Sequence, residues 1–368
     1  MITANNSWYI YNFRSELIEQ LLADGYRVIC VSGDNSYQTD LERLGVEFHM
    51  IQYTARSKSA SALSRNIFSY IKVLRQVKPT ICLSFNPMAN LCVSVAQLFS
   101  NAKQMATVSG FGVLSKIIKG RDRATLSVKL KKYVLSQYLK IPAVVLCQNE
   151  EDEKFVRKVR KSLPTLRVKG SGVPLQKFRA KQRNYSTRRF MFAARFLLSK
   201  GIIDYIEAAR NSRVNRSEFY ICGLPVDEGS GGMSEKDVIE ALANTNITYL
   251  GHVTNMAPLL QSTDVVVLPS QYGEGIPRSL IEASASGCLL VAYDNDGVRE
   301  IVRNEQNGFL LPVPDVLGLQ RAFEKIDRMT AEELQNYSLR SRGIAERDYS
   351  VTVVNKVYID SIRDLVRY

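Results

Sequence analysis

Short apolar runs alternate with longer amphipathic stretches along the whole chain. The apolar runs predict buried strands, and stretches with apolar positions three or four residues apart predict helices. This alternation is typical of β-α-β units, whose strands lie in parallel sheets. In the first half it predicts strands at 26–32, 46–52, 80–85, 104–109 and 143–148, with helices at 13–25, 61–79 and 87–101.

The same alternation restarts in the second half, so two open, mostly parallel α/β domains are expected. Strands are predicted there at 190–195, 218–223, 247–252, 264–270, 289–293 and 308–312, with helices at 200–212, 233–244, 255–262, 277–286 and 315–347.

The apolar pattern lapses at 172–189, where charged residues dominate, and we interpret this segment as the link between the domains. The predicted domains are 1–175 and 176–349, followed by a C-terminal helix at 350–368 that could cross back to the first domain. Only Met1–Ala4 precedes the first loop. Either the first strand is very short, or the native chain starts upstream.

The composition and the net charge indicate the class of protein and the kind of partner that it binds. The chain has 368 residues, 45% of them hydrophobic and 23% charged, which excludes a disordered or low-complexity protein. Its net charge of +13 indicates an anionic partner, which could be nucleic acid, a membrane surface or a phosphorylated substrate. Residues 1–180 carry 27 basic and 12 acidic residues, whereas 181–368 carry 22 and 24, so the excess belongs to the first half.

The cysteines and the N-terminus indicate a cytoplasmic protein. Six cysteines without metal-ligand spacing lie mostly inside apolar runs, so we expect buried, reduced thiols. No apolar run approaches the roughly 20 residues of a membrane-spanning helix. The first residues lack the basic and apolar regions of a signal peptide.

The densest chemical signal is the segment SQYGEGIPRSLIEASASG at 270–287, directly after an apolar strand. It therefore leaves the carboxyl edge of a sheet, where open α/β folds bind ligands. Pro277 suits the first turn of a helix, whose unpaired amides at Arg278, Ser279 and Leu280 would bind phosphate. Glu274 and Glu282 could accept hydrogen bonds from sugar hydroxyls. The alternative is that both glutamates are merely solvated.

Several segments resemble the retaining glycosyltransferases of family 4. EGIPRSLIE resembles their E-x7-E motif, FAARFLLSKG (192–201) their GR-L-x-x-x-KG segment, and SGVPLQKF (171–178) their interdomain hinge. GHVTNMAPLLQSTDVVVLPS and DGVREIVRNEQNGFLLP resemble the segments flanking the motif. The resemblance covers nearly the whole chain. It implies the GT-B fold, in which two Rossmann-like parallel-sheet domains face each other across a cleft.

The resemblance also implies a set of site residues in the second domain. Glu274 would contact the donor hexose, Glu282 would hold the ribose, and Arg195 and Lys200 would neutralise the pyrophosphate. Positive charge at fixed positions could stabilise a departing diphosphate without a metal. Further donor contacts would come from the residues after Glu274, namely Gly275, Ile276, Pro277, Arg278, Ser279 and Leu280.

TVSGFG (107–112) and the N-terminal pattern resemble the branch that extends bacterial lipid-linked saccharides for O-antigen, capsule or protein glycosylation. The implied reaction moves a hexose or N-acetylhexosamine from a UDP-sugar to a saccharide-diphospho-undecaprenol, with retention and without a cofactor or a protein nucleophile. Acceptor contacts are expected from Asn6, Arg14 and Gly110. Two alternatives remain, a transferase acting on a soluble acceptor and a basic nucleic-acid-binding protein.

The two histidines of the chain have different interpretations. Many family members have a histidine near Ser109–Phe111, where this chain has none. His49 lies in a strand-like run and is interpreted as structural, whereas His252 at a strand end is a candidate nucleotide contact. Asp294-Asn295-Asp296 spells a metal-binding D-x-D, but it follows a late strand and is interpreted as a turn.

The basic excess is concentrated at 116–140, which carries eight basic residues and one acid. Leu126, Leu130, Val134 and Tyr138 recur every four residues, and Lys129, Lys131 and Lys132 lie opposite. A basic amphipathic helix of this kind can lie on an anionic membrane. The alternative is a packed helix with a solvated lysine face. We predict a peripheral protein on the inner face of the cytoplasmic membrane.

Overall fold

The chain folds into two compact units, described here from a computed structural model. The structure describes residues 1–54, 59–111, 133–161, 163–180, 182–226, 229, 231–273 and 275–367. Unit 1 comprises Met1–Gly172 and Val351–Tyr368, and unit 2 comprises Val173–Ser350. The first boundary therefore falls between Gly172 and Val173 rather than after residue 175, and the helix after Ser350 belongs to unit 1.

Unit 1 is built on a parallel sheet of seven strands in the order β3-β2-β1-β4-β5-β6-β7. The strands are β1 Ile2–Thr3, β2 Ile29–Ser32, β3 Glu47–Met50, β4 Ile81–Phe85, β5 Lys103–Val108, β6 Val144–Cys147 and β7 Thr165–Arg167. The helices with described bounds are Ser7–Ala23, Gln38–Arg43, Ala60–Val77, Pro87–Ala96, Glu150–Arg160 and Val351–Arg367, with a 3-10 turn at Gln97–Phe99.

The first strand is very short but central. Ile2 and Thr3 pair with Cys30 and Val31 of β2 on one side and with β4 on the other. The following helix begins at Ser7, earlier than predicted, because the Asn6 side chain accepts the Tyr9 N–H at 2.8 Å and caps it.

Unit 2 is built on a parallel sheet of six strands in the order β10-β9-β8-β11-β12-β13. The strands are β8 Arg188–Ala193, β9 Ser217–Cys222, β10 Ile247–Tyr249, β11 Val265–Leu268, β12 Leu289–Tyr293 and β13 Gly308–Leu311. The helices are Ile202–Asn211, Glu235–Ala241, Met256–Gln261, Arg278–Ala285, Val316–Arg328 and Ala331–Asp348, with a 3-10 turn at Leu198–Lys200.

The prediction of a single helix at 315–347 is wrong, because the helix is interrupted at Met329 and Thr330. Met329 is extended, and the Thr330 side chain accepts the Glu333 N–H while Glu333 accepts from the Thr330 N–H and hydroxyl. This reciprocal capping box starts a new helix.

The predicted link at 172–189 is largely part of unit 2 rather than a free connection. Phe178 is buried in the core, and Arg183 donates to the carbonyls of Leu260, Ser286 and Gly287 at 2.8–3.1 Å. The charge that suggested a solvated linker therefore satisfies carbonyls at the ends of neighbouring helices.

Helices cover both faces of each sheet. In unit 1, Ser7–Ala23 and Val351–Arg367 pack on one face, and Ala60–Val77 and Pro87–Ala96 pack on the other. All six cysteines are buried and unpaired, as predicted, and burial raises the pKa of Cys82 to about 11. Within the described part of the chain, no helix is both long enough and apolar enough to cross a bilayer.

Candidate donor site

The segments that follow four strands of unit 2 meet at one edge of the sheet, and they include several of the predicted site residues. Arg195 follows β8, Gly223 follows β9, His252 follows β10, and the loop at 269–277 follows β11. Because these strands are parallel, their carboxyl ends meet at the same edge. A cavity of about 170 Å³ lies there, lined by Ala193, Ala194, Arg195, Cys222, Gly223, Leu224, His252, Val253, Met256, Leu260, Ser279 and Glu282.

Arg195 has a rigid backbone and an exposed side chain. The next residue, Phe196, is fully buried, packs 6.0 Å from the Tyr249 ring, and donates its N–H to the Leu224 carbonyl at 2.9 Å. Gly223 permits this close packing, since a Cβ there would lie 1.8 Å from the Ala194 carbonyl oxygen. The exposed guanidinium can therefore bind an anion at the cavity, while the backbone that carries this side chain is held in place.

Lys200 ends the 3-10 turn that follows, and this turn is fastened to the loop after β11. The Gln271 N–H donates to the Ser199 carbonyl at 2.8 Å. Gly201 adopts φ 77°, and a Cβ there would lie 2.0 Å from the Pro269 carbonyl oxygen, so the turn needs glycine. The Lys200 Nζ lies 5.1 Å from the centroid of the Tyr272 ring, within range of a cation–π contact.

A second set of hydrogen bonds holds the same loop, the one after β11. The Asp204 carboxylate accepts from the Tyr293 hydroxyl at 2.7 Å and from the Gln271 Nε2 at 3.0 Å. Asn295 Nδ2 donates to the Ser270 carbonyl at 2.9 Å. Burial, together with Asp204, raises the pKa of Tyr293, so this hydroxyl remains a donor at neutral pH.

The helix Arg278–Ala285 begins directly after Pro277, which is its N-cap rather than a residue of its first turn. The Leu280 N–H donates to the Pro277 carbonyl at 3.1 Å, so the prediction that this amide is unpaired is wrong. Gly275, Ile276 and Pro277 are buried. Glu274 lies outside the residues that the structure describes.

Glu282 lies four residues after Arg278 on the same helix and lines the cavity beside Ser279. Its Oε1 accepts from the Arg278 Nε at 2.9 Å, with both side chains about 15% exposed. This ion pair turns the carboxylate toward the helix N-terminus, so a ribose bound in the cavity would meet an oriented acceptor.

The remaining histidine and D-x-D predictions can be located. His252 is exposed and lines the cavity, whereas His49 bonds Glu47 at 2.6 Å on β3 of unit 1. Asp294 and Asp296 both pair with Arg299, and a turn begins at Asp296. Among the described residues, no three acidic, histidine or cysteine side chains come together as metal ligands.

The three residues predicted as acceptor contacts in unit 1 lie in different environments. Asn6 is the exposed helix cap described above, and Gly110 adopts φ 94° just after β5. Arg14 is fully buried, with its guanidinium carbon 4.0 Å from the Phe85 ring centroid. Its Nη2 donates to the Tyr9 hydroxyl at 3.1 Å, so Arg14 is a cation of the core rather than a solvent-facing contact.

The predicted basic helix at 116–140 lies outside the described residues as far as 132. From 133 onward, Leu135, Tyr138 and Leu139 are buried in a core cluster with Val145 and Val156. This end of the segment is therefore packed, although Val134 is exposed and does not share the buried side with Tyr138.

Asp204, Gln271 and Tyr272 are the site residues that the sequence analysis missed. Tyr272 lay inside the quoted motif segment, next to Gly273. Asp204 gives no such signal, because its two partners come from separate strand ends.

Comparisons with known proteins find similarity to glycosyltransferases. Residues 176–341 match the family model described as glycosyl transferases group 1. The chain is 24% identical over 370 residues to the Campylobacter jejuni N,N'-diacetylbacillosaminyl-diphospho-undecaprenol alpha-1,3-N-acetylgalactosaminyltransferase, covering 95% of this chain and 94% of that protein. It is 23% identical over 321 residues to the Escherichia coli UDP-Gal:alpha-D-GlcNAc-diphosphoundecaprenol alpha-1,3-galactosyltransferase, covering 81% and 80%.

Among solved structures, Anabaena Alr3699/HepE in complex with UDP and glucose superimposes with a TM-score of 0.78 at 14% identity, covering 99% of this chain and 98% of that one. At this identity the likeness shows the fold, which is GT-B, with two Rossmann-like parallel-sheet domains.

Proposed function

We propose that the protein, whose residues 176–341 match the family model of glycosyl transferases group 1, is a retaining hexosyltransferase acting on lipid-linked saccharides. It transfers a hexose or N-acetylhexosamine from a UDP-sugar to a saccharide-diphospho-undecaprenol, through an α linkage. The product serves bacterial surface polysaccharide or glycan synthesis.

One observation carries the donor assignment: a single cavity at the carboxyl edge of the unit 2 sheet brings together Arg195, His252, Ser279 and Glu282. These residues are far apart in the sequence, and each belongs to a segment that resembles a family 4 motif or its flanks. A guanidinium, a helix start and a carboxylate in one cavity suit a nucleoside diphosphate, whose phosphates need cations and N–H groups and whose ribose needs an acceptor.

The proposed reaction is the one that the family resemblance implies. The acceptor hydroxyl attacks C1 of the donor sugar, and the bond from C1 to the diphosphate oxygen breaks. The acceptor proton passes to a phosphate oxygen of the donor, and UDP leaves. Arg195 and Lys200 stabilise the negative charge that grows on the leaving diphosphate. This chemistry needs no protein nucleophile and no metal, and Glu274 remains the predicted contact of the transferred hexose.

The acceptor assignment is supported by the names of two relatives that align over most of this chain. Both act on saccharides attached to diphospho-undecaprenol. One of them names UDP-Gal as its donor. A lipid-linked acceptor also explains why the chain needs a basic half, since the acceptor lies in a membrane. We therefore retain the proposal that the protein is peripheral on the inner face of the cytoplasmic membrane.

The test is incubation with a panel of nucleotide sugars and a synthetic saccharide-diphospho-lipid, read by mass spectrometry. We expect one UDP-sugar to add one sugar unit, and nuclear magnetic resonance of the product to show an α linkage. Transfer to a short soluble saccharide but not to the lipid would favour the soluble-acceptor alternative. No transfer from any UDP-sugar, with salt-sensitive shifts of random DNA or RNA, would overturn the proposal.

A further inference from the structure

One outer surface of unit 1 combines cations with unusually exposed apolar side chains. On the helix Ala60–Val77, Tyr70, Val73 and Leu74 are buried against the sheet. The opposite side exposes Arg65, Phe68, Lys72 and Arg75, which recur at intervals of three or four residues and so share one face. Phe68 is 73% exposed, the most exposed large hydrophobic side chain in the described part of the chain.

A second element extends this surface with two more apolar side chains. In the 3-10 turn Gln97–Phe99, Gln97 is buried, and its Nε2 donates to Gln104 Oε1 at 3.2 Å. This anchoring leaves Leu98 65% exposed and Phe99 55% exposed. Phe99 lines the same surface groove as Arg75 and Lys78 at the end of the helix. Phe99 is therefore a neighbour of Arg75 and Lys78, and the 3-10 turn adjoins the helix Ala60–Val77.

The elements that carry this surface contain no acidic residue. Residues 48–121 contain no aspartate or glutamate and carry ten lysines or arginines. No acid therefore comes from this helix, from the helix Pro87–Ala96 beside it, or from the 3-10 turn. Elsewhere, surface cations are commonly paired, as Lys154 is with Glu150 and Glu151.

We propose that Arg65, Phe68, Lys72, Arg75, Leu98 and Phe99, the basic–apolar surface, dock unit 1 onto an anionic lipid bilayer. Arginine and lysine are attracted to the negative headgroup layer. Phenylalanine and leucine gain by entering the boundary between headgroups and acyl chains, where the apolar atoms leave water. A nucleic acid would satisfy the cations but would leave Leu98 and Phe68 exposed.

This docking surface differs from the predicted helix at 116–140, whose described end is packed into unit 1. The proposed lipid-linked acceptor gives the docking its purpose, and in that respect the inference rests on the proposed function. The binding itself needs neither donor nor acceptor. It can therefore be measured separately from the reaction.

The first test is flotation of the full chain with vesicles of phosphatidylethanolamine and phosphatidylglycerol, and with vesicles of phosphatidylcholine alone. We expect salt-sensitive binding to the anionic vesicles only. The charge reversal Arg65→Glu, Lys72→Glu, Arg75→Glu should weaken the partition coefficient by at least about 100-fold, because each cation near the surface contributes several-fold. Binding equal to that of the wild type would overturn the proposal.

The matched control is Arg321→Glu, Lys325→Glu, Arg328→Glu on the helix Val316–Arg328 of unit 2, where all three residues are exposed. It changes the net charge by the same amount, and we expect vesicle binding close to that of the wild type. Both variants should keep the melting temperature of the wild type, which shows that they fold. If the control loses binding equally, net charge alone explains the effect and the surface is wrongly assigned.

A reporter at the surface tests contact directly. In a Trp8→Phe background, which removes the single native tryptophan, Phe68→Trp should show blue-shifted emission with anionic vesicles. Emission that stays unchanged while the protein floats with the vesicles would contradict the proposal, as would binding to nucleic acid in place of vesicles. Vesicle docking without sugar transfer would uphold this surface and refute the proposed reaction.

Discussion

At the residue scale, the site depends on two cations that are held differently. Arg195 is exposed on a rigid backbone beside the cavity. Lys200 sits in a tight turn whose neighbour Gly201 touches Pro269, and its Nζ faces the Tyr272 ring. Both residues lie within seven positions of the end of β8, so the segment after this one strand supplies both charges.

Lys200→Ala should lower kcat by about 10²- to 10³-fold, the usual effect of removing a group that stabilises transition-state charge. The measurement is initial-rate transfer with the preferred UDP-sugar. Lys236→Ala is the control, since the Lys236 side chain is 84% exposed on another helix of unit 2. Wild-type turnover in Lys200→Ala would refute the assignment of this lysine.

Glu282→Gln should raise KM for the UDP-sugar by about 10- to 100-fold, because a charge-assisted hydrogen bond is replaced by a neutral one. The KM is obtained by varying the donor at saturating acceptor. Glu240→Gln provides the comparison, as Glu240 also pairs with a residue four positions away, at 3.8 Å from Lys236. Equal donor KM values in the two variants would show that Glu282 is only a structural partner of Arg278.

At the scale of elements, the loop after β11 is positioned by groups that do not line the cavity. Asp204 from the helix Ile202–Asn211 holds Gln271, and Tyr293 from the end of β12 holds Asp204. Small displacements of a catalytic group are costly to rate. Asp204 is therefore assigned as a positioning residue.

Asp204→Asn should reduce kcat about ten-fold with little change in donor KM, since both hydrogen bonds end on the same oxygen, Oδ2, and a neutral amide oxygen accepts them more weakly than a carboxylate. Tyr293→Phe should act in the same way. Asp237→Asn is the structural control, because Asp237 forms a capping box with Ser234. That control should lower the melting temperature and leave kcat intact, and a similar loss of kcat in it would argue against a specific role for Asp204.

The elements also show what a single sequence can predict. The strand Leu289–Tyr293 is predicted to the residue, because it is a continuous apolar run between the helix-ending Gly287 and Asp294. The break at Thr330 was missed although Thr330 and Glu333 carry the spacing of a capping box, since the flanking helical patterns run together. The helices Gln38–Arg43 and Glu150–Arg160 were not predicted, because they contain few apolar positions.

Site residues followed the same logic. That Arg195, His252, Ser279 and Glu282 line one cavity could be predicted, because each lies in a motif or at a strand end, and parallel strands bring their ends together. The burial of Arg14 could not, because its environment is assembled by Phe85 and Tyr358 from distant parts of the chain. Local patterns report local roles, whereas a buried cation is defined by its tertiary neighbours.

At the scale of the whole molecule, charge and chemistry are divided between the two halves of the sequence. The acid-free stretch 48–121 lies in unit 1, and the donor cavity lies in unit 2. In the proposed reaction, Arg195, Lys200 and a helix start would be enough to neutralise the donor diphosphate. The remaining basic excess is better explained by an anionic bilayer that holds the acceptor.

If protein cations alone neutralise the leaving diphosphate, turnover should be unchanged by metal removal. The measurement is transfer by protein dialysed against EDTA, with and without added Mg²⁺ or Mn²⁺. We expect equal rates, because Arg195 and Lys200 supply the charge that a divalent ion supplies elsewhere. An absolute requirement for a divalent ion would contradict this mechanism.

The most direct test of the account is sugar transfer to a synthetic saccharide-diphospho-undecaprenol, followed by mass spectrometry for the wild type and Glu274→Ala side by side. The account predicts that one UDP-sugar adds a single α-linked hexose or N-acetylhexosamine with the wild type, and that the variant stays folded but nearly inactive. No transfer by the wild type from any UDP-sugar, or full activity of the variant, would contradict it.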